Sequence, residues 1–79
     1  MRGPRERIMI WFFEKAGSHL RCEVRTHIEG DRYELVITGP DGLERLESFT
    51  TSHELNRRAQ ALGAQWEEEG WSGPHMRFL

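Results

Sequence analysis

The chain has 79 residues with a formal net charge of −2, from 11 Lys+Arg against 13 Asp+Glu. A chain of that length forms one domain, buries only roughly 60 % of its unfolded surface and has no room for a large enclosed active site. Its single cysteine, Cys22, excludes an internal disulfide and any multi-cysteine zinc site, which points to a reducing compartment.

Leu, Ile, Val and Phe number 17 and aromatic residues number 8, enough apolar area for a small folded core. The longest apolar run, Ile8 to Phe13, is too short for a signal-peptide core or a membrane span, so a cytoplasmic protein without a membrane segment is expected. Charge is unevenly placed. Residues 1–25 carry six basic and three acidic side chains, whereas residues 26–79 carry five basic and ten acidic ones.

In chain order, the turn signals Gly17-Ser18, Gly30-Asp31 and Gly39-Pro40-Asp41-Gly42 separate four segments of strand length, 7–16, 19–29, 32–38 and 43–49. Tight turns between successive strands predict an antiparallel meander. A two-residue Gly17-Ser18 loop would pair Phe13 with Cys22 and Trp11 with Val24. It turns Met9, Trp11 and Phe13 to the core and Ile8, Ile10 and Phe12 to the other face.

The second segment alternates cleanly, with Leu20, Cys22, Val24, Thr26 and Ile28 on its apolar side. A two-residue turn at Gly30-Asp31 would set Thr26 beside Leu35 and Val24 beside Ile37. In the fourth segment Leu43, Leu46 and Phe49 lie three apart. They cannot share one face of an unbroken strand, and a bulge or a left-handed Gly42 would reconcile them.

The periodicity then changes. Leu55, Ala59, Leu62 and Trp66 form a helical stripe, Thr51-Ser52-His53-Glu54 reads as a capping box and Gly70 as a stop, which predicts a helix over 52–69 lying across the face that bears Trp11, Val24 and Leu35. Gly73-Pro74 bars its continuation. The tail 70–79 is read as extended, with Trp71 against the helix end. The fold class is therefore α+β, a four-stranded antiparallel meander followed by one C-terminal helix (ββββα) in a single domain, 1–79.

No phosphate loop, HExxH, GxSxG or EF-hand pattern is present. His19, His27, His53 and His75 are dispersed, and His19 and His27 stand roughly 26 Å apart along one strand, too far to share a metal. Cys22 lies between Leu20 and Val24 in the alternation and reads as an inert core thiol. Without a nucleophile, metal cluster or acid–base pair, the reading is a non-enzymatic binding or interaction module needing no cofactor.

The candidate surface is the outer sheet face, where Ile8, Ile10 and Phe12 stand beside Arg21, Arg25 and Arg32. A lone helix covers one face only, so this strip is expected to be exposed. Self-association into a homodimer, through the strip or the edge of the first strand, is the favoured use, and an unknown protein partner is a further one. The alternative is single-stranded nucleic acid stacked on Phe12 and tracked by Arg21, Arg25 and Arg32. A bland reading pairs Arg21 with Glu14 and Arg32 with Glu29.

Four antiparallel strands followed by one helix resembles the order of the Whirly and purine-rich-element-binding repeats, and that resemblance implies a sheet face for single-stranded nucleic acid. The stretches Tyr33-Glu34-Leu35-Val36-Ile37, Pro40-Asp41-Gly42 with Glu44, and Gly70-Trp71-Ser72-Gly73-Pro74 look like a group of small uncharacterised bacterial proteins of about this length. That likeness implies a bacterial source and carries no activity.

Overall fold

In a computed structural model the described residues are 5–27 and 32–77, with side chains described for 9–26 and 32–75. Five strands and one helix follow in order: β1 (Arg5–Lys15), β2 (Ser18–His27), β3 (Tyr33–Thr38), β4 (Glu44–Phe49), α1 (Ser52–Glu68) and β5 (Ser72–Arg77). All neighbours are antiparallel, in the spatial order β4-β3-β2-β1-β5. The fold is α+β, as the alternation and the later helical period require, with one strand more than expected.

The first hairpin turns at Ala16-Gly17, not Gly17-Ser18. Both residues have positive φ, 50° and 84°, the backbone twist that two-residue hairpins favour. Lys15 therefore faces Ser18, Phe13 faces Leu20 and Trp11 faces Cys22, two residues from the expected register. Because side chains alternate with period two, that shift leaves every face unchanged, and Met9, Trp11 and Phe13 do point to the core. β1 also bulges between Arg7 and Met9.

The β2–β3 register is displaced in the same way, with Val24 opposite Leu35 and Thr26 opposite Tyr33. The expected Gly30-Asp31 turn lies outside the described residues. β4 pairs with β3 without a break, so no bulge is needed in it. Phe49 faces the core, Leu46 the opposite side, and Leu43 precedes the strand. Gly42 does take positive φ, in a turn where Gly42 N–H donates to Gly39 O and Leu43 N–H to Asp41 Oδ1, both at 3.0 Å.

Helix α1 begins where its sequence says it should: Thr51 is the N-cap and accepts from Glu54 N–H at 3.2 Å. At the other end Gly70 (φ 98°) and Trp71 donate to Glu67 O and Trp66 O, a Schellman closure. The last turn carries no basic residue of its own, and Lys15 Nζ reaches from β1 to donate to Glu69 O. Leu55, Leu62 and Trp66 are buried against Trp11, Phe13, Leu20, Cys22, Leu35 and Ile37, with the Phe13 and Trp66 rings edge to face at 5.1 Å. Trp71 packs on this core, as expected of it.

The tail supplies the main correction. It forms β5 on the free side of β1, with Phe12 opposite His75 and Glu14 opposite Ser72. Gly73 makes the approach possible: its φ is 145°, and a Cβ there would stand 2.8 Å from Phe12 O. β1 is therefore an interior strand, not the edge that self-association was expected to use.

Candidate interaction surface

The outer sheet face brings together several residues of the expected site, and among the described residues its middle is closed. Ile10, Glu23, Val36 and Leu46 form one row across β1, β2, β3 and β4. Within it Ile10 is 6 % exposed, Glu23 2 % and Val36 2 %, so at Ile10 and Val36 the apolar strip is covered and not open as the lone-helix argument predicts. The reason lies in Glu23. Its carboxylate takes Arg21 Nη2 at 2.9 Å on one oxygen and Arg25 Nε at 2.7 Å on the other, which holds two arginine stems along the row.

The bond to Glu23 is also the main reason the Arg25 guanidinium is held more firmly protonated than usual, against a smaller opposing effect of burial. Phe12 is half-buried opposite Arg21, and Arg32 is exposed just before β3. The side chain of Ile8, and the Glu29 partner proposed for Arg32, lie outside the described residues. Arg21 does not pair with Glu14. Glu14 instead stands between His19 Nε2 at 3.6 Å and His75 Nε2 at 3.9 Å, three exposed side chains drawn from β1, β2 and β5.

Several concavities line the described part of the sheet, two of them above 400 Å³. An open apolar groove of about 420 Å³ runs between β1, β5 and α1, lined by Met9, Trp11, Phe13, Ala59, Gly63 and Pro74. A second, of about 440 Å³, lies at the hairpin end beside Phe12, His19, Arg21 and Pro40. Among the described residues no group of three or more His, Cys, Asp or Glu side chains is placed to hold a metal ion. Cys22 is buried, and burial pushes its thiol up to about 12, where it is protonated and unreactive at neutral pH.

What sequence reasoning missed is β4. Its Leu46 is 49 % exposed and the adjoining Leu43 is 71 % exposed, the large hydrophobics left open among the described residues. On the helix side of β4, Arg58 of α1 donates to Glu47 twice, Nε to Oε1 at 2.9 Å and Nη2 to Oε2 at 3.2 Å. That grip is the first cause of a Glu47 carboxyl held below its ordinary range and of a raised Arg58. The signal was present as the three-residue spacing of Leu43, Leu46 and Phe49. Side chains that cannot share a face leave at least one apolar group outside the core.

No described helix is long and apolar enough to cross a membrane. No family model, no curated protein and no solved structure matches this chain.

Proposed function

We propose that the chain is a small non-enzymatic interaction module that works as a homodimer. The observation that carries this is the coincidence of Leu43 and Leu46, both exposed, with β4, an outermost strand whose far side meets no other strand among the described residues. An open strand edge is a template for another strand, and a second copy supplies one at equal concentration. The reducing cytoplasm suggested by a lone thiol, and the bacterial source implied by the resemblance, belong to the same proposal.

The nucleic-acid reading is the second choice, since Arg21 and Arg25 share the one Glu23 carboxylate, which offsets part of the charge they would offer to phosphates. Light scattering over a concentration series tests the homodimer. The expected mass is twice the 9.3 kDa chain at micromolar concentration, and a mass that stays at 9.3 kDa throughout the series overturns it.

A further inference from the structure

We infer that the two copies meet edge to edge, β4 against β4, in the one register that places Leu46 on the two-fold axis. This rests on the homodimer reading and specifies its interface.

The hydrogen-bond phase of β4 can be read from its start. Gly39 stands opposite Leu43 in continuation of the β3–β4 register, and Gly39 N–H donates to Leu43 O at 3.0 Å. Leu43 thus turns its carbonyl toward β3. In an antiparallel ladder the direction alternates, so Arg45, Glu47 and Phe49 also direct their backbone groups to β3. Glu44, Leu46 and Ser48 direct theirs outward, to the open edge.

A two-fold pairing must set outward groups against outward groups, which leaves three registers that keep most of the strand: centred on Arg45, on Leu46 or on Glu47. Charge decides among them. Centring on Arg45 sets Arg45 directly against its own copy, and centring on Glu47 does the same to Glu47, in each case at the close, non-hydrogen-bonded position where like charges repel most. Centring on Leu46 sets Arg45 against Glu47 of the second copy, twice by symmetry. Each Glu47 then lies between Arg58 of its own chain and Arg45 of the other.

The same register exchanges backbone bonds between Glu44 and Ser48 and between the two Leu46 residues. It lays Leu46 against Leu46 beside Val36 on the outer face, and it brings Leu43 opposite Phe49 of the second copy on the helix side. Both exposed leucines thereby gain apolar neighbours, and the sheet runs on through both molecules. The strand is its own complement.

The test uses Arg45→Glu and Glu47→Arg, each alone and then mixed, with light scattering for mass and circular dichroism to show that each chain is folded. Alone, each variant opposes like charges at both symmetry-related positions, and dissociation is expected to rise roughly tenfold or more. Mixed in equal amounts, the two restore opposite charges at both positions and a dimer reappears. Leu46→Lys, which alters no ion pair within the chain, is expected to weaken the dimer by a similar factor. If the wild-type chain is a monomer, the homodimer reading fails and this interface with it. If the wild type is a dimer but the single variants dimerise equally well, or folded variants fail to recombine, the copies meet elsewhere and the β4 register is wrong.

Discussion

Two adjacent residues of β2 show how one strand serves two environments. Cys22 faces the helix and Glu23 the outer face, and both are buried. Glu23→Ala would leave the Arg21 and Arg25 guanidiniums without their shared acceptor and open the row beside Ile10 and Val36. A loss of about 2–3 kcal/mol in urea unfolding is expected. For Cys22, the unfolded chain releases the thiol proton near its ordinary value of 9.0, whereas the folded chain keeps it to about 12. Between those values the unfolded state binds fewer protons, so this group's contribution to stability falls as pH rises through that window. A disulfide reagent at pH 8 should therefore leave Cys22 unmodified in the native protein and modify it fully in denaturant. Alternation placed Cys22 correctly, because its neighbours Leu20 and Val24 are apolar. It could not reveal Glu23 as buried, since a carboxylate in the polar phase reads as wet until its two arginines are seen to fold onto it.

At the scale of elements, the helix was legible almost to its ends and the strand registers were not. Thr51, Glu54 and Gly70 act locally, through bonds to backbone groups within one turn, so their meaning survives without tertiary context. Register is different. The apolar pattern of Leu20, Cys22 and Val24 is indifferent to a slip of two residues, which keeps each face intact, and only the choice of Ala16-Gly17 as the turn distinguishes the two. β5 escaped notice because Gly73-Pro74 interrupts it, and both residue types argue against a strand. Gly73→Ala tests what that glycine does: a Cβ 2.8 Å from Phe12 O, at a φ of 145°, must push β5 away from β1. Amide exchange in Trp11 to Glu14 is expected to accelerate at least about tenfold while exchange in β3 changes little.

At the scale of the molecule, the helix argument correctly covered one sheet face and wrongly left the other bare. The chain covers the middle of its outer face with its own charged side chains, and among the described residues the large apolar groups left open lie at the perimeter, at Leu43 and Leu46. On the proposed homodimer reading the interaction surface is an edge, not a patch. The fold has two such edges, and they are unlike. β4 offers charges that complement their own copy, whereas β5 carries Gly73 and Pro74, which spoil a strand's capacity to recruit another.

β5 pairs with Ile10, Trp11 and Phe12 inside the run Ile8 to Phe13, six consecutive apolar residues of high strand propensity and no charge, the composition that seeds fibrils when its edge is bare. Its pairing joins residues some sixty positions apart, the kind of long-range closure that forms late and opens early. The last strand is thus a guard on the first, and the solution lifetime of the protein on warming is set by how firmly that guard holds. Gly73→Ala, still folded at room temperature, should aggregate sooner than the wild type on mild heating. Protein chemists handling this chain would then find its shelf life governed at Gly73, on the opposite edge of the sheet from Leu46.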